Sequence, residues 1–294
     1  MSSRGQNSGE NKYPIDVEHG AEMARLLGQE QLVTQGMGGL LTERSDLSGI
    51  HYVLDIGCGP GGWVQELAFR YPDIEVVGID ISTSMIDFAR SQAQVQHLDN
   101  AYFKVMDATK PLAFADGSFD LINARSIVTF MKPEDWPRLT QECMRLLRPG
   151  GVLRLTEGEW SFANSPALET LGRLFTQSLY RAGQSLSRTG YGLGVTPLLR
   201  HFLQQAGYQH IAHMAHALDV SAGSEGYRSC FTNTQALFPL AQPFLLKWGM
   251  TTKEELERLY REVLAEMLSE EFCCVTFMLT AWGEKPWIAI EKNS

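Results

Sequence analysis

Apolar and polar residues along this chain change their period in a regular order. Residues 1–12 are polar, rich in Ser, Gly and Asn, and are expected to form a disordered tail. Behind Asp16, a candidate N-cap, Val17, Ala21, Ala24 and Leu27 recur at helical spacing and stop at Gly28. The following QLVTQGMGGLL carries Gly36, Gly38 and Gly39, which predicts a bent loop rather than a continuous helix. From residue 51, short apolar runs alternate with amphipathic ones. HYVLDIG, EVVGIDI, AYFKVMDA, SFDLINA and VLRLTE read as strands; WVQELAFR, SMIDFARSQA and EDWPRLTQECMRLL read as helices, and a Pro-Gly-Gly turn at Pro149–Gly151 precedes the fifth strand. Strands alternating with helices predict a mostly parallel sheet covered on both faces, with right-handed crossovers.

Past Glu157 the rhythm changes. Residues 158–205 read as helices and loops, with Leu168, Leu171, Leu174 and Phe175 on one stripe. QHIAHMAHALDV reads as a strand, TTKEELERLYREVLAEMLSEE as a helix, and FCCVTFMLTAWGEK as a closing strand. The expected organisation is an N-terminal helical cap over 13–47 and an α/β core over 48–157. A continuation with helical insertions that cap a substrate follows over 158–272, then a closing strand and tail over 273–294.

Composition narrows the partners. The net charge is −9 with no basic block, so nucleic acid is not expected, because a polyphosphate binds by counterion release from a basic face. Five cysteines, an odd number without a CxxC pair, fit a reducing compartment and argue against a disulfide framework or zinc ribbon; no metal is expected. Cys273 and Cys274 read as buried small residues. With neither a secretory signal nor an apolar run of about eighteen residues, a soluble, cytoplasmic protein without membrane association is expected.

The chemistry concentrates in VLDIGCGPGGW, residues 53–63. Gly57, Gly59 and Gly61 permit a tight strand-to-helix turn and a close backbone approach by a ligand. Gly57, Gly59 and Gly62 also satisfy the GxGxxG spacing of nicotinamide and flavin enzymes. Asp55 separates the readings. A pyrophosphate favours a bare helix N-terminus and is opposed by a carboxylate two residues before the first glycine, whereas an ammonium or sulfonium is attracted.

On these residues the segment resembles the first motif of class I S-adenosylmethionine-dependent methyltransferases, Asp-x-Gly-x-Gly-x-Gly. Further matches follow in order: Asp80 ends the second strand, Asp107 follows the third in KVMDA, and INARS ends the fourth. RLLRPGGVLRLTE resembles the family's turn before its fifth strand, and LTAWGEKP its closing antiparallel strand. The resemblance implies a Rossmann-like, doubly wound α/β sheet of seven strands, order 3-2-1-4-5-7-6, with helical additions. It implies S-adenosyl-L-methionine as cofactor and S-adenosyl-L-homocysteine as product. In that family Asp80 pairs with the ribose and Ile81 packs near the adenine. Asp107 accepts from the adenine amino group between Met106 and Ala108, while the backbone at Asn123 and Ala124 lines the methionine moiety. Arg125 is a candidate for the cofactor carboxylate or a substrate anion. KYPIDVEHGAEMARLL and LVTQGMGGLL resemble the leading helices of bacterial natural-product methyltransferases, which fold over the cofactor and sometimes over a neighbouring subunit. That implies cofactor contacts from Tyr13, Gln35 and Met37, and makes a homo-oligomer through these helices one expected arrangement.

Methyl transfer from a sulfonium is an in-line displacement with a good leaving group, so positioning and water exclusion are the protein's main tasks. A base is needed only for a phenol or carbon acid. Glu157 and Glu159, after the fifth strand, are candidate bases, with His201, His213 and His216 as alternatives. The Asn/Asp-Pro-Pro-aromatic motif of base- and amide-directed enzymes is absent at Asn123, Ala124, Arg125 and Ser126. Trp160, Phe162, Tyr180, Tyr191, Phe231, Phe238 and Trp248 make the added segments aromatic, so the expected acceptor is a small, largely apolar molecule. The alternatives are a nicotinamide-dependent oxidoreductase and a catalytically silent cofactor-binding subunit.

Overall fold

The computed structural model describes residues 13–16 and 20–287. The tail expected over 1–12, Val17, and the part of the closing segment after Trp287 lie outside the described residues. The β-branched and leucine-rich runs form β1 (Tyr52–Ile56), β2 (Glu75–Asp80), β3 (Ala101–Val105), β4 (Phe119–Arg125) and β5 (Leu147–Gly158), all paired in parallel. Helices α2 (Gly62–Arg70), α3 (Thr83–Val95) and α4 (Asp135–Leu146) connect them. Later come β6 (Phe162–Ala163), α5 (Pro166–Arg181), α6 (Leu199–Ala206), β7 (Gln209–Asp219), α7 (Tyr227–Lys247), α8 (Lys253–Met267) and β8 (Cys274–Glu284), while α1 (Gly20–Gly36) precedes the sheet.

Strand order is β3-β2-β1-β4-β5-β8-β6, with β7 on the other side of β8, which runs antiparallel to both β5 and β7. This is the expected 3-2-1-4-5-7-6 order once β8 is counted as seventh and β7 as sixth. The eighth strand, β6, was not foreseen. It pairs β8 on the edge that β5 vacates: Gly158 faces Met278, and Phe162 then faces Val275. Three residues on one strand therefore oppose two on the other, a bulge that holds Glu159, Trp160 and Ser161 at the carboxyl end of the sheet.

The strands bury both faces. On one, Val53, Val76 and Leu121 pack against Val64 and Leu67 of α2 and Ile86 and Ala89 of α3. On the other, Leu54, Ile56, Ile122 and Leu155 meet Leu139 and Cys143 of α4, Phe202 of α6 and residues of α5. Of the predicted stripe, Leu168, Leu171 and Phe175 are buried and Leu174 is partly so. No helix among the described residues is long and apolar enough to cross a membrane.

Two segments depart from the sequence reading. The first helix does not stop at Gly28 but runs to Gly36, packing against α7 and β7. One interior glycine costs a helix only about 1 kcal/mol, which this packing outweighs. Helix α7 carries Pro239 and Pro243 in its interior. Pro239 cannot bond the carbonyl four residues back, and Tyr260 of α8 donates its hydroxyl to that Gln235 carbonyl at 3.1 Å. Cys273, expected to be buried, is exposed; Cys274 is buried.

Gly61, expected among the cofactor contacts, has a packing role instead. Its φ is +82°, and a Cβ there would lie 2.6 Å from Phe103 and 2.8 Å from Ala89. Strain and overpacking together predict that Gly61→Ala loses about 2–4 kcal/mol. Urea unfolding of the two proteins measures this, and an equal midpoint would contradict the packing role.

Candidate active site

The carboxyl ends of β1, β2, β4 and β5, roofed by α1, α5 and α7, enclose a cleft of about 390 Å³. Open α/β sheets bind ligands in this position. Of the residues expected to hold a cofactor, Tyr13, Asp55, Gly57, Gly59, Asp80, Ile81, Met106, Asp107, Ala108 and Arg125 line it. Asn123 and Ala124 do not: both side chains are buried within β4 below the cleft. Met37 packs with Val33, Leu218 and Met278, and Gln35 is exposed, so neither lines the cleft.

Asp55 sits in the floor, and its support is lateral. Parallel registers set it opposite Asn123 of β4, and Asn123 opposite Arg154 of β5. Asn123 Nδ2 donates to Asp55 Oδ1 at 2.7 Å, Arg154 Nη1 donates to Asn123 Oδ1 at 2.7 Å, and Arg154 Nε donates to Glu43 Oε1 at 2.6 Å. Every member is buried or nearly so. Burial nevertheless pushes the Asp55 carboxyl up to about 7, against the opposing pull of Asn123, Arg125 and Arg154.

A second carboxylate comes from α1. Glu30 accepts from the backbone N–H of Trp63, and burial raises it to about 7 despite Arg125, whose Nη2 lies 3.5 Å away. A Cβ on Gly62 would fall 2.2 Å from Glu30 Oε2. The third glycine of the GxGxxG spacing therefore makes room for an acid at the start of α2, where a dinucleotide site would put a pyrophosphate. Asp80 is the third acid. Its Oδ2 accepts from Gly59 N at 3.0 Å and its Oδ1 from Ser82 N at 2.9 Å, and burial raises its pKa against these bonds. Asp107 Oδ1 accepts from Thr109 N and Oγ1 at 2.9 and 2.7 Å, an Asx turn that fixes the carboxyl at the cleft wall.

The N-terminal segment closes over the site. The Tyr13 hydroxyl donates to Glu22 at 3.0 Å and accepts from Arg25 at 3.2 Å. Arg25 also bonds Glu22 at 2.6 and 2.7 Å, Gln29, and Asn233 of α7 at 2.9 Å, tying α1 to α7. Burial pushes the Tyr13 hydroxyl well above its usual range. Sequence reasoning missed Arg25, Gln29 and Glu30. Glu30, one helical turn beyond Leu26, reads as part of a solvated face until α2 is placed beside it.

Among the candidate bases only Glu157 remains placed for chemistry. Its Oε1 accepts from Ile127 N at 2.8 Å, its Oε2 is buried without a hydrogen bond, and burial raises it to about 8. Glu159 also lines the cleft, but its oxygens are taken by Leu193 N, Gly194 N, Val195 N, Thr196 N and Thr196 Oγ1 at 2.7–3.3 Å. It pins the loop before α6 and has no capacity left to act as a base. His201 and His213 are exposed, and His216, lowered by burial, sits on β7; none of the three lines the cleft. Of the seven aromatics named from sequence only Trp160 faces it, joined by Phe130 and Phe175. Phe162 and Tyr191 are exposed.

A doubly wound sheet with an acid-ringed glycine bend defines a Rossmann-like α/β domain with its cleft at the carboxyl ends of the strands. Residues 53–151 match the methyltransferase domain family. Phosphoethanolamine N-methyltransferase 3 of Arabidopsis thaliana is 31% identical over 63% of this chain and 36% of its own length. Trans-aconitate 2-methyltransferase of Deinococcus radiodurans is 30% identical over 60% of this chain and 61% of its own. The alignments thus span about a third to three-fifths of these relatives. Among solved structures, Haemonchus contortus phosphoethanolamine N-methyltransferase 2, in complex with phosphomonomethylethanolamine and S-adenosylhomocysteine, has a TM-score of 0.54. Its identity is 18%, covering 86% of this chain and 53% of that one. The YcgJ protein of Bacillus subtilis gives 0.50 at 20% identity, covering 86% and 98%. At these identities the structures show the shared fold.

The ionisation of Asp55 is testable. Its pKa is 3.8 when unfolded and about 7 when folded. The folded chain therefore holds the proton more tightly, and the resulting stabilisation, complete below the unfolded value, is lost as pH rises through 7. Asp55→Asn removes this dependence. Its stability relative to wild type is expected to be greater at pH 8 than at pH 5.5 by about 2 kcal/mol, at about 1.4 kcal/mol per pH unit. Urea titrations of both proteins at the two pH values measure it; a constant difference would show that Asp55 does not titrate in place.

Proposed function

We propose that this chain transfers the methyl group of S-adenosylmethionine to a small, largely apolar acceptor. The observation that carries the reading is the ring of three carboxyls around the glycine bend, Asp55 buried and Glu30 and Asp80 partly buried. At about 4 Å and an effective dielectric near 20, one opposite-charge pair is worth about 4 kcal/mol. The ring therefore favours an ammonium and sulfonium and opposes a diphosphate, which also disfavours the nicotinamide alternative. The donor set fits the whole nucleoside. Asp55 and Glu30 suit the cationic end, and Arg125 suits a carboxylate. Asp80 suits vicinal hydroxyls, and Ile81, Met106, Asp107 and Ala108 suit a purine. A bound sulfonium supplies an activated methyl group; the protein aligns the acceptor and keeps water out.

Support for an apolar acceptor comes from Val128, Trp160, Leu168, Leu171 and Phe175, which line the same cleft. Phosphoethanolamine, named for some relatives, carries a phosphate that calls for an available cation. Among the described residues the cations lining the cleft are Arg25, held by Glu22, and Arg125, bonded to Glu30 and Thr34 and, in this reading, taken by the cofactor's own carboxylate. A catalytically silent subunit shares the cofactor site, and methylated product in a mass-spectrometric assay separates the two.

Asp80→Ala is expected to weaken S-adenosylmethionine binding at least tenfold in calorimetry, while the wild-type protein gives no heat with a nicotinamide dinucleotide. Equal affinity in the variant, or tight binding of the dinucleotide, refutes the assignment.

A further inference from the structure

One buried carboxyl in the cleft is not needed for holding the nucleoside. Glu157 is 1% exposed, ends β5 beside the turn after β4, and is held on one side by the backbone N–H groups of Ile127 and Val128. The bond from Ile127 fixes Oε1, and Oε2 is buried without a hydrogen-bond partner. A buried polar atom without a partner costs about 1–3 kcal/mol, more when charged, and β5 tolerates it beside apolar walls.

Building on methyl transfer as the reaction, we propose that Glu157 is the general base and that the acceptor is a weakly acidic hydroxyl, a phenol or enol, on an apolar body. As the hydroxyl oxygen forms its bond to the methyl carbon, the S–CH3 electron pair returns to sulfur and the O–H proton passes to Oε2. An ether, a neutral thioether and a neutral carboxylic acid result. The sulfonium and the carboxylate are discharged in the same step. In a dry cleft this removes the charge whose burial is most costly. The acceptor classes differ in what they ask of this carboxyl. An amine needs only to arrive neutral, and a carboxylate or phosphate acceptor would face an anion with both cleft arginines already engaged. A hydroxyl is the acceptor that supplies the missing donor to Oε2.

The titratable groups around Glu157 are Glu159, tied to the loop at 193–196, and the thiols of Cys230 and Cys274, which burial pushes up to about 11 and about 12. Both thiols stay protonated from pH 6.5 to 9. Asp55 and Glu30 titrate in the same cleft, and they remain in the comparison variant.

Glu157→Gln keeps the bond from Ile127 and replaces the accepting Oε2 by a donor. The probes are 2-naphthol and 4-nitrophenol, the latter already ionised above pH 8. Wild-type transfer to 2-naphthol is expected to rise with pH through the titration near 8. In the variant it should fall at least a hundredfold, with transfer to 4-nitrophenol changed less than fivefold. In the S-adenosylhomocysteine complex, fluorescence titration should show 2-naphthol binding more tightly to wild type as pH rises, and no such trend in the variant. S-adenosylmethionine affinity, measured by calorimetry, should be equal in both. An equal loss with both acceptors, transfer to amines but to neither hydroxyl, or identical binding trends would overturn the proposal. Failure of the wild type to bind S-adenosylmethionine would instead remove the methyltransferase reading on which it rests.

Discussion

An acid in the middle of a parallel sheet is the constraint that organises this molecule. Asp55 occupies a strand position whose neighbours Leu54 and Ile56 are wholly buried, and an unpaired carboxylate there would be destabilising by several kcal/mol. The sheet answers with a polar row cut across three strands: Asp55, Asn123 and Arg154 stand side by side in register, and Glu43 ends the row. The row is an acid, an amide, a cation and a second acid. Each internal hydrogen bond satisfies one group without discharging Asp55 outright. The carboxylate keeps affinity to spare for a cation arriving from the cleft.

The same logic explains why the roof and floor belong to one site. Glu30 reaches from α1 to the start of α2, and Arg125 bridges Glu30 and Thr34 back to β4. Arg25 then joins α1 to Asn233 of α7. The helical cap is thus attached to the nucleotide-binding core through charged groups that lie within the cleft, so a ligand that changes their ionisation also acts on the cap. Gly62 belongs to this arrangement, since a side chain there would occupy the space of the Glu30 carboxylate. Its fit to the dinucleotide spacing is a coincidence of sequence, because the reason for the glycine is an acid at the helix start rather than a phosphate.

What could be read in advance follows from how local each signal is. The strands and the helices α2 to α4 carry their period within ten residues, and Asp55, Asp80 and Asp107 sit at strand ends that the period locates. Asn123 is legible as a backbone position of the fourth strand; that its side chain links Asp55 to Arg154 is not, because the motif does not report side-chain direction. Glu30 and Arg25 were missed because their chemistry is made by a helix packing across a distance that no spacing encodes. Helix α7 holds two interior prolines, whose cost is met in part by Tyr260 from the next helix.

Glu157 and Glu159 show how little separates a structural acid from a reactive one. Both follow β5, both line the cleft, and from sequence they are interchangeable. The bulge between β5 and β6 separates them. Glu159 is turned toward a loop that offers it five donors, and Glu157 has a backbone donor on Oε1 and none on the buried Oε2. A carboxyl saturated with donors is stabilised as an anion and is a poor proton acceptor; one that is buried and half-satisfied is a stronger base. The distribution of donors, more than the identity of the residue, therefore decides which of the two can take a proton.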